Sequence, residues 1–217
     1  MNTPLVTQEA TQLSDQTLRV LGFAGSLRKN SLNRALLRAA QELTPDSMEL
    51  SIFDLAHIPL YNPDVDQDGV RPPSVELFKQ AITGADALLV ATPEYNHSMS
   101  GVLKNALDWA SRPAGRSPLS GKPAAIMGAT GGLWGTIRAQ DDLRNVLTAT
   151  GVHVVLRRPE LLVAQAAQKF DEQGRLADET TRTLLSQLLV VLRDWTLRLR
   201  AGESTTPASA APAATAR

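Results

Sequence analysis

The stretch LRVLGFAGSLRKNSLNRALLRAAQEL, residues 18–43, decides the fold. It opens on an apolar strand, 18–24, and turns through Gly25-Ser26-Leu27-Arg28-Lys29-Asn30-Ser31. The apolar positions that follow are Leu32, Ala35, Leu36, Ala39, Ala40 and Leu43, one face of an amphipathic helix. A strand that runs through a polar turn into a helix N-terminus can bind an anion. The first N–H groups of a helix lack internal partners, and the dipole there favours negative charge. Ser26, Arg28, Ser31 and Asn33 can all donate to one phosphate. The turn has neither GxGxxG nor GxxxxGK[ST], and a side-chain cradle with one arginine suits a single terminal monophosphate. An ordinary strand-to-helix turn with a Ser or Asn cap accounts for the same residues, so the turn alone leaves both readings open.

The remaining chain repeats the strand–helix pattern. Residues 48–54 alternate like a strand. Residues 55–73 carry Pro59, Pro63, Gly69, Pro72 and Pro73 and read as a long loop, which inside a compact domain is often functional. A helix is expected over 74–84, with Val75, Phe78, Ala81 and Ile82 inward. The run ALLVAT, 87–92, is continuously apolar, as a central parallel strand covered on both faces must be. It ends in Pro93-Glu94-Tyr95-Asn96-His97-Ser98-Met99-Ser100-Gly101, followed by a helix over 102–111. A strand over 123–129 leads into Thr130-Gly131-Gly132-Leu133-Trp134-Gly135 and a helix over 136–150. Residues 152–156 form the last strand, 161–163 a short extended piece and 178–200 the final helix.

Five strand–helix units imply a parallel sheet with helices on both faces, an α/β doubly wound, three-layer fold. Five strands favour the flavodoxin-like order 2-1-3-4-5, with ligands at the carboxyl ends of the strands near the switch between the first and third. The three unusual loops, 25–31, 93–101 and 130–136, all follow strands and therefore converge on that edge.

Composition narrows the function classes. The chain has 217 residues, 43% of them hydrophobic, enough for one domain with a full core. That domain is expected over 17–200, between a flexible N-terminal arm, 1–16, and a low-complexity Ala/Pro/Thr/Ser tail, 201–217. Lys+Arg and Asp+Glu are 22 each, so nothing argues for nucleic acid or an anionic membrane as partner. No apolar run is long enough to span a bilayer, and the polar first residues do not resemble a secretory signal; a cytoplasmic location is expected. Cysteine is absent, which excludes a catalytic thiolate and Cys-ligated metal and assigns any redox chemistry to a bound cofactor. His57, His97 and His153 are scattered, and no metal site is expected.

Two motifs together carry a family resemblance. Gly25-Ser26-Leu27-Arg28-Lys29-Asn30-Ser31-Leu32-Asn33 resembles the GSxRxxSxN phosphate loop of the NADPH-dependent FMN reductase family, which includes quinone, chromate and azo-dye reductases. Pro93-Glu94-Tyr95-Asn96, continuing through Gly101, Lys104, Asn105, Asp108 and Trp109, resembles its PEYN…G.LKNA.DW segment, and Leu119, Gly121, Lys122 and Pro123 its L.GKP segment. The similarity runs from about residue 18 to about residue 195.

The resemblance implies FMN as cofactor and NADPH or NADH as co-substrate. Ser26, Arg28, Ser31, Leu32 and Asn33 would hold the phosphate. Pro93, Glu94, Tyr95 and Asn96 would line the isoalloxazine, largely through backbone groups that donate near its N5 and O4. Thr130, Gly131 and Gly132 would approach its other edge. No side chain is implied as a catalytic group. Tyr95 is either a wall of the site or a dimer contact, and Trp134 either stacks near the flavin or packs. The family also implies a homodimer or homotetramer; the helix over 101–111 and the loop before it are expected in the contact, with Asp108 and Trp109 as packing and interface residues and Trp109 as an aromatic anchor. The function implied is reduction of quinones, flavins or similar small acceptors by ping-pong hydride transfer through FMN. The alternative is a flavodoxin-like electron carrier or a flavin-binding regulator without turnover. A carrier usually steers its partners with an acidic surface, and this chain is neutral.

Overall fold

The computed structural model describes residues 17–67, 69–155 and 158–204. The expected arm, 1–16, and the tail beyond residue 204 lie outside the described residues, as do Asp68, Leu156 and Arg157. In chain order the elements are β1 (Leu18–Ala24), α1 (Leu32–Glu42), β2 (Met48–Phe53), α2 (Pro73–Gly84), β3 (Ala87–Ala91), α3 (Gly101–Ala110), β4 (Pro123–Ala129), α4 (Ile137–Ala149), β5 (His153–Val154), β6 (Leu161–Val163) and α5 (Glu179–Ser204). All strand pairs are parallel, in the expected order β2-β1-β3-β4-β5.

The apolar strands divide cleanly between two cores because successive side chains point to opposite faces. Val20, Ala24, Leu89, Ala91, Ala125 and Met127 pack with Leu36, Leu37 and Ala40 of α1 and with Leu185, Leu188, Leu189 and Leu192 of α5. Leu21, Phe23, Leu88, Val90, Ala124 and Ile126 pack with Phe78 and Ile82 of α2, Leu103 and Leu107 of α3, and Leu143 and Leu147 of α4. The sheet is thus the middle of three layers, which explains why its central strands are apolar throughout.

The fifth column of the sheet differs from expectation. Its strand over 152–156 shrinks to β5, which pairs with Pro123 and Ala124. The short extended piece is a second strand, β6, pairing further along β4 through Met127, Gly128 and Ala129. The break lets β6 support the loop after β4: Thr130 N donates to Val163 O (3.0 Å), Ala166 N to Thr130 O (2.9 Å) and Gln165 N to Gly132 O (2.9 Å). The final helix also runs past residue 200 to Ser204.

The described residues of the loop between β2 and α2, 55–67 and 69–72, are not free. Short 3-10 turns form at Leu55–His57 and Pro63–Val65. Pro59 O accepts from both Asn105 Nδ2 and Trp109 Nε1, each at 2.8 Å, and Tyr61 N donates to Asn105 Oδ1 at 2.8 Å. The Tyr61 ring meets the Trp109 ring edge-on, 4.9 Å between centroids. Arg71 bridges Asp66 and Glu76. This corrects the role expected of Trp109. Its side chain is 0% exposed within a single chain, so it cannot anchor a partner; with Asn105 it fastens the loop to α3.

The start of α5 gives an acid-sensitive handle. Asp178 Oδ1 accepts from Thr181 N (2.9 Å), from Thr181 Oγ1, and from Lys169 Nζ (3.0 Å). The Thr181 hydroxyl, and then Lys169, hold the Asp178 carboxyl at about 2, below its ordinary 3.8. A carboxylate with a depressed folded value stabilises the fold above the unfolded value and loses that contribution as pH falls toward the folded one. Thermal stability should therefore drop between pH 4 and 2, and Asp178→Ala should cost about 1 kcal/mol at neutral pH, as an N-cap does. In the variant the part of the acid transition due to this group should vanish; an unchanged melting temperature at pH 7 would contradict the cap.

Candidate flavin site

The carboxyl edge is assembled by close approach of three loops. Gly25 packs so tightly that a Cβ there would lie 2.6 Å from Ser100 Oγ and 3.0 Å from both Pro93 Cδ and Leu103 Cβ. Ser100 uses the proximity: its hydroxyl donates to Gly25 O (2.6 Å) and accepts from Leu103 N (3.2 Å), capping α3 and joining it to the turn after β1. Gly25 N in turn donates to Ala91 O at the end of β3 (2.9 Å).

The turn after β1 ends in the cap of α1. Ser31 N donates to Arg28 O (3.1 Å), and Ser31 Oγ accepts from Arg34 N (3.2 Å). Ala35 N goes to Ser31 O (3.0 Å). Among the described residues, the N–H groups of Leu32 and Asn33 have no protein partner, and they sit at the positive end of the helix dipole. Ser26 is buried beside them, while the Arg28 side chain is exposed at the rim. Asn33 is mostly engaged in architecture. Its Nδ2 donates to Ala129 O (2.8 Å) and its Oδ1 accepts from Ala129 N (2.9 Å), tying α1 to the end of β4. Only its second Nδ2 hydrogen is left for a ligand.

The loop after β3 forms a tight turn. Tyr95 and Ser98 exchange both backbone hydrogen bonds at 3.0 Å, with Asn96 (φ 51°) and His97 (φ 66°) left-handed between them. Two positive φ values at the central positions make this a type I′ turn, where Asn is favoured. The Tyr95 N–H is therefore spent inside the turn, and of residues 94–96 only Glu94 and Asn96 can offer a backbone donor. The Tyr95 hydroxyl reaches across toward Ser26 Oγ (3.5 Å), which makes its ring a cleft wall.

Glu94 does not present a free carboxylate. Its Oε2 accepts from Arg138 N (3.0 Å) and Ala139 N (3.3 Å), and its Oε1 from Arg138 Nη1 (3.2 Å). Thr136, at the N-cap of α4, is left-handed and makes no side-chain cap, so Glu94 supplies that cap from another loop. Ser98 Oγ adds a 2.6 Å bond to Asp142 of α4. Sequence reasoning missed Arg138, Asp142 and Ser100. Ser100 carried a signal, a serine immediately before an apolar-periodic helix; the other two act across long sequence separations that leave none.

These elements enclose a cleft lined by Ser26, Arg28, Ser31, Leu32, Asn33, Pro93, Glu94, Tyr95, Ala129, Thr130 and Gly131. Ten of the twelve expected site residues thus meet. Asn96, at the tip of its turn, and Gly132 stand off the cleft wall. The cleft is about 80 Å³ and open to solvent on one side, room for a compact group such as a phosphate. No atom approaches within 4 Å of where a Cβ on Gly131 would be, leaving clear space above that backbone. A larger cavity, about 270 Å³, lies at the amino end of the strands beside Asp86, Lys122 and Arg200. There Lys122 Nζ is spent on Thr83 O and Ala85 O, and burial lowers its pKa. The ammonium closes the sheet end, and the chemistry-bearing loops are elsewhere.

Known proteins resemble the chain in sequence and fold. Residues 18–168 match the family described as NADPH-dependent FMN reductase. An NAD(P)H-dependent FMN reductase of Pseudomonas aeruginosa is 52% identical over 183 residues, 84% of this chain and 97% of the relative. An NADPH:quinone oxidoreductase of Arabidopsis thaliana is 44% identical over 197 residues, 88% of this chain and 98% of the relative. Among solved structures, FerB, a flavoenzyme NAD(P)H:(acceptor) oxidoreductase from Paracoccus denitrificans, superposes with a TM-score of 0.76 at 37% identity, covering 83% of this chain and 98% of its own. Fold, sequence and the closing of three loops on one sheet edge agree: the chain belongs to the NADPH-dependent FMN reductase family.

Proposed function

We propose that this protein is an NAD(P)H-dependent FMN oxidoreductase that reduces quinones or similar small acceptors, with the FMN phosphate held at the start of α1. One observation carries the assignment of the phosphate. Two unpartnered N–H groups, those of Leu32 and Asn33, lie at the positive end of a helix in a cleft with the hydroxyls of Ser26 and Ser31 and the guanidinium of Arg28. A dianionic monophosphate matches that donor set, and a neutral ligand would leave the guanidinium and the helix dipole without a counter-charge. Bound FMN supplies the two-electron redox chemistry between a nicotinamide donor and an acceptor.

The chain's own groups then bind and orient. Pro93 and Tyr95 wall the mouth of the cleft, and Thr130 and Gly131 bound its other side. The backbone of Glu94 and Asn96 carries the remaining donors of the turn. The Glu94 carboxylate, which caps α4 and pairs with Arg138, holds the turn in place and adds no unpaired negative charge to the site. Turnover, as opposed to electron carriage alone, is supported by the reductase activities of the relatives at 52% and 44% identity.

Arg28→Ala should lower FMN affinity by about one to two decades, the loss of one charge-assisted phosphate contact. Titration of flavin-free protein with FMN measures it, and unchanged affinity would remove the phosphate from this turn. In steady state, NADPH and menadione should give parallel double-reciprocal lines, because donor and acceptor use the same open mouth in turn; intersecting lines would reject that scheme.

We further propose that the protein is a cytoplasmic homo-oligomer. Among the described residues no helix is long and apolar enough to cross a membrane. Leu60 (86% exposed), Val70 and Leu77 leave apolar surface on the 55–72 segment and α2, which supports a contact there in place of Trp109. Light scattering at micromolar concentration should give a dimer or tetramer mass, and a monomer would contradict it.

A further inference from the structure

Two large apolar side chains stand in water at the tip of the loop between β4 and α4. Leu133 is 71% exposed and Trp134 68%. The loop beneath them is firmly tied. Gly132 N donates to Thr130 Oγ1 (3.3 Å) and Gly132 O accepts from Gln165 N (2.9 Å). On the other side Gly135 adopts φ +63° and lies so close to β6 that a Cβ would stand 2.9 Å from Leu162 Cβ. Trp134 O accepts from Ile137 N (3.3 Å). Of the two readings left open for Trp134, core packing is therefore removed: a rigid loop holds the indole outward.

The indole is also held through its ring. The Arg138 guanidinium carbon lies 5.5 Å from the ring centroid, and the same guanidinium donates to Glu94 Oε1 (3.2 Å), whose side chain lines the cleft. One guanidinium thus separates the indole from the cleft wall. A cation is attracted to the face of an aromatic ring, so the exposed indole is held against Arg138 on the same loop that carries the cleft-lining Thr130 and Gly131.

We propose that Trp134 is the stacking platform for the electron acceptor, receiving the face of a planar, electron-poor ring of the quinone class. This rests on the functional reading above. Indole is an electron-rich ring with a negative face, and an electron-poor ring stacks on it favourably in an offset arrangement. Neither the adenine nor the electron-rich dihydronicotinamide of NADPH has that electron deficiency, which separates the reduced donor from the acceptor.

The test compares FMN-loaded wild type, Trp134→Ala and Trp134→Phe, with NADPH as donor and either menadione or ferricyanide, which has no ring to stack, as acceptor. Trp134→Ala should lower kcat/KM for menadione relative to ferricyanide by roughly three- to tenfold, chiefly through KM, and Trp134→Phe should restore most of it. Equilibrium titration of the oxidised holoprotein with menadione, without NADPH, should show its Kd rise in Trp134→Ala by a similar factor. Equal effects on both acceptors, an unchanged Kd, or a rise confined to the KM for NADPH would overturn the platform and leave the reductase reading standing. Wild type that reduces neither acceptor would overturn both.

Discussion

The packing of Gly25 against Ser100, Leu103 and Pro93 fixes the spacing on which the whole edge depends. With no Cβ to interpose, the turn after β1 and the start of α3 come within one hydroxyl of each other, and Ser100 closes the gap to Gly25 O at 2.6 Å. The loop after β3 is drawn in by the same contact through Pro93. Glu94 then fastens that loop to α4, and Asn33 fastens α1 to the end of β4. Each connection joins an element on one side of the cleft to an element on another, so the cleft is set before any ligand arrives, as low-cost binding requires.

Around the cleft the helices α1, α3 and α4 begin at this edge, and their free N–H groups are treated differently. The start of α4 is closed by Glu94, from another loop. The starts of α1 and α3 each have a serine cap that satisfies one N–H and leaves the first two. Those of α3 fall at Gly101 and Val102, which do not line the cleft; those of α1 fall at Leu32 and Asn33, which do. The combination of residual helix donors, two hydroxyls and a guanidinium occurs at α1, and that asymmetry is the ground for proposing the anion site there.

The sequence made the architecture legible because the signals are local. The period of α1, the apolar runs of β3 and β4 and the glycines and prolines between them place the elements and bring the three loops to one edge. The donor types around α1 were equally plain. The division of labour among them was not: Asn33 has the composition of a phosphate ligand and acts mainly as a clamp on Ala129, while Glu94 has that of an acid and acts as a helix cap. Trp109 looked like an interface anchor, yet it is sealed in its own chain by Pro59 and Tyr61. The split of the fifth strand into β5 and β6 was likewise hidden, since two or three residues give no period to read. In each case the deciding partner lies tens of residues away, where composition and spacing carry no trace of it.

The claim on which the rest stands is that the start of α1 binds a phosphate. Calorimetric titration of the flavin-free protein with FMN and, separately, with riboflavin isolates that group, since the two ligands differ by the phosphate alone. With several charge-assisted donors engaged, FMN is expected to bind at least about a hundredfold more tightly, and its advantage should shrink as salt is raised. Equal affinity for FMN and riboflavin would contradict it.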